Sequence, residues 1–206
     1  MNNFPLIVSY YTKKTIYQLE VQNLIASCEK WNLPIEVEGI ESFGSWELNC
    51  GYKPFFLYRK LQELKKPLLW VDADAVVLKQ PEVLEAFSAD LAVRINEGLS
   101  PDHPSKVISS TIFVNYTREG GELLRRWAEE SNRQLGEAGR KEEFWDQIAL
   151  RNVIFNQSHK AKVVSMPLEY TKISDHPFDS QAVKEPIIEH YQASRRFKNS
   201  INSPRA

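Results

Sequence analysis

The stretch from Leu68 to Pro81, LLWVDADAVVLKQP, constrains the fold of this chain more than any other feature of its sequence. Four apolar residues in a row are followed at once by Asp72 and Asp74, with one alanine between them. An unbroken apolar run of this length is typical of a strand that is covered on both faces. The stretch therefore predicts a buried central strand that ends at two carboxylates.

Strand-like and helix-like patterns alternate along the rest of the chain. Short strand-like stretches predict strands at residues 5–11, 35–40, 68–71, 91–95, 111–115, 162–166 and 186–191. Apolar residues at helical spacing predict helices at residues 15–32, 54–64, around 123–127, and from about 144 to 155. Pro81 suits the first turn of a further short helix over 81–88. This alternation predicts an α/β fold with helices on both faces of the sheet.

The length and charge of the chain limit the number of domains and the kinds of protein that it can represent. A chain of 206 residues is enough for one sizeable core and short for two, which predicts a single domain over 1–206. The 26 basic and 27 acidic residues give no overall attraction to nucleic acid or to a membrane surface. Apolar runs stay far short of a membrane span, and Cys28 and Cys50 have neither metal-ligand spacing nor a disulfide-rich context. We expect a cytoplasmic protein with no nucleic-acid partner and no transmembrane segment.

Asp72 and Asp74 are spaced so that both side chains can converge on one point. Residues two apart in an extended segment share a face, and open α/β sheets bind ligands at the carboxyl ends of their strands. Two close carboxylates repel each other, and Mg²⁺ or Mn²⁺ removes that conflict. Aspartates also end strands by bonding to nearby backbone, so a simple turn is the alternative. The buried flanks favour the metal, because buried charge needs compensation.

The segment WVDADAVVL resembles the DxD segment of GT-A-fold glycosyltransferases, enzymes that bind nucleotide-diphosphate sugars through a divalent metal. Other segments resemble parts of nucleotide-diphospho-sugar transferases, in that family's order, from about residue 6 to 198. They are SYYT, GSWELNCGYKPFF, STIFVN, WDQIAL and IIEHYQASRRFK. STIFVN departs from the family at Ser110, where glycine is more usual.

The resemblance implies a single-domain, GT-A-like (Rossmann-like) fold with a mixed, mainly parallel sheet. It implies a metal-dependent glycosyltransferase that takes a sugar from a nucleotide-diphosphate sugar, with UDP as the expected nucleotide. The acceptor is an unknown glycan, lipid or protein, and retention of the anomeric configuration is implied by the WDQIAL segment. The implied metal is Mn²⁺ or Mg²⁺, held by Asp72, Asp74 and His190. Imidazole suits Mn²⁺ better than Mg²⁺.

The resemblance also implies donor-binding residues. Tyr11 and Thr12 end the first predicted strand, where an aromatic ring can stack on the base and a hydroxyl can bond to it. Lys53 opens a helix before the DxD strand, where it can reach donor phosphate or ribose; a surface lysine is the alternative. Trp46 is a candidate for lining a sugar pocket, whereas Tyr17 is predicted to belong to the core.

The basic C-terminal stretch, residues 193–206, is expected to close on the donor site. Arg195, Arg196 and Lys198 follow His190 closely, and the planar fork of arginine suits phosphate oxygens. A solvated basic tail is the alternative interpretation, because most terminal charge runs are of that kind.

Asp146 and Gln147 are the predicted catalytic pair. They begin a predicted helix, and an aspartate there is also favoured by the helix dipole without any catalytic function. The resemblance to retaining enzymes places such a pair beside the reactive sugar. There the Gln147 carbonyl would stabilise positive charge at the anomeric carbon, and Asp146 would orient hydroxyl groups.

Two other classes of protein remain open. VDADAV also fits the aspartate motif of haloacid-dehalogenase-like phosphatases, although that motif normally lies on the first strand of their fold and is followed by a second acidic pair. A non-catalytic module that binds a sugar nucleotide or a glycan is the other alternative. Only the pair Asp146 and Gln147 argues against it.

Overall fold

The computed structural model describes residues 4–137, 146–156 and 158–195, and its strands and helices alternate as predicted. The strands are β1 (Leu6–Thr12), β2 (Ile35–Ile40), β3 (Leu68–Val71), β4 (Ala75–Val77), β5 (Leu91–Ile95), β6 (Val107–Val114), β7 (Val163–Ser165), β8 (Lys172–Ile173) and β9 (Ile188–His190). The helices are α1 (Tyr17–Lys30), α2 (Trp46–Gly51), α3 (Lys53–Leu64), α4 (Arg118–Glu137), α5 (Asp146–Asn156) and α6 (Pro177–Ala182).

Six strands form one central sheet in the order β2-β1-β3-β6-β5-β7. The pairs β1–β2, β1–β3 and β5–β7 are parallel, whereas β6 runs antiparallel to both β3 and β5. Only β6 is reversed, so the sheet is mixed and mainly parallel. The predicted fold class is confirmed.

The strand β3 is buried on both faces, which is why its sequence is apolar throughout. Leu68 and Trp70 belong to a core cluster with α3, α4 and α5. Leu69 and Val71 point to the opposite face and pack in a second cluster with α1. The expectation that helices cover both faces is therefore met at the strand that leads to the two aspartates.

A second, three-stranded sheet has the order β4-β9-β8. The segment after the aspartates forms β4, which pairs antiparallel with β9, so that Ala75 lies opposite His190 and Val77 opposite Ile188. Nothing in the sequence predicted this pairing across more than a hundred residues. It carries the C-terminal segment back to the end of β3.

Several predicted boundaries differ from the structure. The short helix predicted over 81–88 is wrong for its first half, because only Glu85–Ser88 form a turn of 3-10 helix. The backbone N–H and carbonyl of Glu82 bond instead to the hydroxyl of Tyr170, at 2.9 and 3.0 Å. The polar stretch before Lys53 contains α2, whose first turn is capped by Ser45 accepting from the Leu48 N–H.

The predicted start of the helix at Phe144 lies outside the described residues, and α5 is described from Asp146.

Within the part of the chain that the structure describes, no helix has both the length and the apolar character needed to cross a membrane.

Candidate functional site

The carboxyl end of β3 places Asp72 and Asp74 in a tight turn. The Asp72 N–H donates to the carbonyl of Ser110 on β6 at 3.0 Å, which continues the ladder by one residue. The Ala75 N–H then donates to the Asp72 carbonyl at 3.1 Å. The strand therefore ends just before Asp72, and a turn brings both carboxylates to one end of the sheet. The i, i+2 spacing predicted this convergence for an extended segment, so the prediction was right about the place and wrong about the backbone geometry.

Asp72, Asp74 and His190 form a candidate metal site. One ligand atom from each of the three side chains lies within 4.8 Å of the others. The two aspartates come from the turn after β3, and His190 comes from β9, which is held beside them by its pairing with β4. The secondary sheet thus completes the cluster.

The imidazole of His190 is fixed in one tautomer. The Thr111 hydroxyl donates its single proton to the Tyr170 carbonyl at 2.8 Å, so it must accept from the Nε2–H of His190, also at 2.8 Å. Burial, with Lys53 and Arg94 adding to it, lowers the pKa of His190 to about 3, which keeps the ring neutral. Its Nδ1 therefore carries a free lone pair, and that atom is buried with no hydrogen-bond partner among the described residues.

Asp74 is buried and also anchors the C-terminal segment. One of its carboxylate oxygens, Oδ2, accepts from the Ala193 N–H at 2.7 Å, and its carbonyl accepts from the Tyr191 N–H at 3.1 Å. Burial, and then the charge of Asp72, raise the pKa of Asp74 to about 7. Two crowded carboxylates beside an orphaned, buried nitrogen lone pair fit a divalent cation, because a cation would satisfy all three.

Lys53, at the first position of α3, lies between Asp72 and Asp146. Its ammonium is 3.0 Å from Asp72 Oδ1 and 2.8 Å from Asp146 Oδ2, and it donates to the Ser109 carbonyl at 3.1 Å. Burial alone would lower the pKa of this lysine, but the two carboxylates outweigh burial and raise it. Lys53 is therefore a buried cation, and the alternative of a surface lysine is excluded.

A cleft of about 410 Å³ opens over this cluster. Every described residue that was predicted to hold the metal, to bind the donor or to act in catalysis, apart from the buried His190, lines this cleft. These residues are Tyr11, Thr12, Lys53, Asp72, Asp74, Asp146, Gln147 and Arg195. The structure thus brings together side chains from five separate parts of the chain.

The predicted catalytic pair lies at the start of α5, and its two members have different surroundings. Asp146 is buried and accepts from the Ser109 hydroxyl at 2.8 Å, in addition to its ion pair with Lys53. Gln147 is half-buried, and its amide nitrogen donates to the Pro104 carbonyl at 3.0 Å. That bond fixes the amide and leaves its carbonyl oxygen without a hydrogen-bond partner among the described residues.

Tyr17 and Trp46 line the cleft together. Tyr17, which the helical pattern assigned to the core, is half-buried on the cleft wall, where its hydroxyl accepts from the Trp46 indole at 3.2 Å. Burial, followed by the charge of Asp74, raises the pKa of Tyr17, so its phenol stays neutral. Trp46 also lines the cleft, in agreement with its nomination.

Arg94 is a cleft residue that sequence reasoning missed. It lies at the end of β5, almost fully buried, and makes a bidentate pair with the fully buried Asp179 of α6 at 2.6 and 2.7 Å. It also donates to Asn96 Oδ1 at 3.0 Å. The available signal was an arginine inside the otherwise apolar run LAVRI, since a charge in a buried strand requires a partner.

The C-terminal stretch is only partly described. Arg195 is half exposed, lines the cleft and pairs with Asp175 at 2.7 Å. Arg196 and Lys198, which the sequence also nominated for the diphosphate, lie outside the described residues. Ser110, where the family more usually has glycine, lines the cleft with a buried hydroxyl that has no partner among the described residues.

The sheet topology and the site together are consistent with a GT-A-like, Rossmann-type fold, and solved glycosyltransferases share it. A glycosyltransferase involved in the glycosylation of the major capsid of PBCV-1 aligns with a TM-score of 0.65 and 14% identity, over 95% of this chain and 98% of the other. The glycosyltransferase GlyE in Streptococcus pneumoniae TIGR4 aligns with a TM-score of 0.54 and 16% identity, over 92% of this chain. This chain spans 55% of the GlyE chain. No protein-family model and no curated protein matches the sequence.

Proposed function

We propose that this chain is a metal-dependent glycosyltransferase that transfers a sugar from a UDP-sugar to a glycan, lipid or protein acceptor, with retention. The observation that carries the proposal is the cluster of Asp72, Asp74 and His190 at the cleft of a glycosyltransferase fold. These three residues would hold the metal, and their mixed oxygen and nitrogen donors suit Mn²⁺ better than Mg²⁺. A bound metal would neutralise the diphosphate in the donor and in the leaving group.

The donor would lie along the cleft with its base towards the end of β1. Tyr11 and Thr12 line the cleft there, with a ring and a hydroxyl suited to a nucleobase. Arg195 lines the same cleft, and a guanidinium suits phosphate oxygens. We propose that residues 193–206, including Arg196, close on the diphosphate, and that residues 1–206 form one domain.

The sugar would lie beside Asp146 and Gln147. A carbonyl oxygen of Gln147 facing the anomeric carbon would stabilise the positive charge that develops there, without being basic enough to trap the sugar. Asp146, held by Lys53 and Ser109, would accept hydrogen bonds from sugar or acceptor hydroxyls and orient them.

Replacing Gln147 by alanine is expected to lower turnover by about tenfold or more, with little change in UDP affinity. The reason is that the amide would act on charge present only in the transition state. Steady-state kinetics with saturating donor measure the effect. Gln134→Ala is the matched control, because Gln134 is a helix glutamine bonded to Glu130 and does not line the cleft. If Gln147→Ala turns over at the wild-type rate, Gln147 has no part in catalysis.

The function itself is tested by incubating the protein with a panel of UDP-sugars and Mn²⁺ and, separately, with a phosphate monoester. Sugar transfer or slow hydrolysis of the donor supports the proposal and needs no knowledge of the acceptor. Hydrolysis of the monoester would identify a phosphatase instead. Binding of UDP-sugar without turnover would identify a non-catalytic module.

A further inference from the structure

We propose that Lys53 is a positioning residue, which holds Asp146 towards the metal-site carboxylate of Asp72 and makes no contact with the donor. Only the expected effect on catalysis rests on the proposed function. Lys53 itself is buried, with 5% of its surface exposed, and it contacts three separate elements of the chain. Asp72 follows β3, Ser109 lies on β6, and Asp146 begins α5.

The ammonium of Lys53 has four acceptors around it, two from ion pairs and two from Ser109. An ammonium has three N–H donors and no acceptor. The acceptors within 3.1 Å are Asp72 Oδ1, Asp146 Oδ2 and the Ser109 carbonyl, and the Ser109 hydroxyl lies further away at 3.5 Å. The neighbouring residues offer more acceptors than the ammonium has protons, so a contact with a phosphate or a ribose hydroxyl would require Lys53 to give up one of these partners.

The same contacts orient Asp72. Its Oδ1 accepts from the Trp70 indole at 2.8 Å in addition to its ion pair with Lys53. Both of these donors act on one oxygen, so Oδ2 remains the oxygen without a partner among the described residues. The Trp70 indole would continue to hold Oδ1 without Lys53, so the oxygen that Asp72 presents to a cation does not depend on the lysine.

Removing Lys53 would leave the buried carboxylate of Asp146 facing the half-buried carboxylate of Asp72 with no cation between them. Asp146 would keep the Ser109 hydroxyl but would lose its counter-charge, and a carboxylate in that position is repelled by Asp72. The pair Asp72 and Asp146 would move apart. The binding of nucleotide would persist, because the ligand atoms of the metal site remain, but the catalytic carboxylate would be misplaced.

The test compares K53M, D146N and the double variant K53M/D146N with wild type. Lys60→Met is the matched control, because Lys60 is another buried lysine of α3 that bridges two carboxylates, Glu36 and Glu38, outside the cleft. Thermal unfolding is measured without nucleotide, UDP affinity is measured by calorimetry with Mn²⁺, and kcat and KM are measured by donor hydrolysis.

We expect K53M to lower Tm by about 10 °C, and D146N added to it to restore about half of that loss, because the double variant buries one unpaired carboxylate fewer. UDP affinity in K53M should stay within about threefold of wild type, whereas kcat should fall about 100-fold. D146N and K53M/D146N should share one kcat, because Lys53 acts through Asp146. K60M should lower Tm and leave kcat unchanged.

Two results would overturn the inference. One is a loss of UDP affinity greater than about tenfold in K53M, since that identifies a donor contact. The other is the absence of any stability recovery in the double variant. If K53M does not fold, recovery of the folded state in K53M/D146N supports the inference. If wild type turns over no UDP-sugar, the proposed function fails, while the stability comparison still decides whether Lys53 holds Asp146.

Discussion

Asp74→Asn is expected to abolish the Mn²⁺-dependent stabilisation of the protein by UDP while leaving the metal-free protein folded. An amide is a weaker metal ligand than a carboxylate. Its oxygen can still accept the hydrogen bond that the Ala193 N–H donates to Asp74. The substitution also removes one of two crowded charges, so the variant without ligand should unfold at the wild-type temperature or above it.

The measurement is the shift in Tm on adding UDP and Mn²⁺ together. At ligand concentrations about 100 times Kd, wild type gains about 2.7 kcal/mol, which corresponds to about 5 to 10 °C for a chain of this size. Asp72→Asn and Asp74→Asn should show no shift beyond that of UDP alone. Asp102→Asn, at an exposed carboxylate, is the control and should respond as wild type does. An undiminished metal-dependent shift in both site variants would contradict the metal assignment.

Asp179→Asn is expected to destabilise the protein by about 3–5 kcal/mol. Arg94 would remain buried and charged, because a guanidinium does not lose its proton in a protein. Asp179 accepts two short bonds from that guanidinium and a third from the Ile173 N–H at 2.9 Å. Denaturant unfolding monitored by tryptophan fluorescence measures the loss.

The matched control is Lys79→Met, which breaks the exposed ion pair with Glu185 and should cost no more than about 1 kcal/mol. The double variant Arg94→Met/Asp179→Leu should be more stable than Asp179→Asn alone, since it leaves no charge without its partner. Equal stability of Asp179→Asn and wild type would refute this account of the buried pair.

The same pair gives a pH dependence with a definite sign. Burial acts to raise the pKa of Asp179, but the hydrogen bonds from Arg94 outweigh it and hold the pKa below its usual value. A depressed pKa in the folded state stabilises the protein above the unfolded pKa of about 3.9, and this contribution disappears as the pH falls through the folded value. The unfolding free energy of Asp179→Asn should therefore fall less steeply than that of wild type below about pH 4.

The elements that the sequence predicted most accurately are those with a continuous local pattern. The strands β2 and β3 have the predicted bounds. In β3 the reason is local, because four buried apolar residues in a row strongly favour a strand. The short helix over 81–88 failed for the opposite reason. Its proline and its composition suited a helix, but the distant hydroxyl of Tyr170 bonds to the backbone of Glu82 and takes the place of a helical turn.

The residue types and their order along the chain determined the α/β class, because alternating periodicity is a local property. They also placed Asp72 and Asp74 together at the end of β3, where a turn and not an extended segment brings the two carboxylates to one end of the sheet. Only the tertiary structure decided which atoms of the site are free. The pairing of β4 with β9 brings His190 to the aspartates, and the proton of Thr111 fixes its tautomer. Contacts between residues as far apart as Lys53 and Asp146 depend on how the whole sheet and its helices pack. Buried hydrogen-bond donors and buried charges need partners wherever the fold places them. No single segment of the sequence determines that placement.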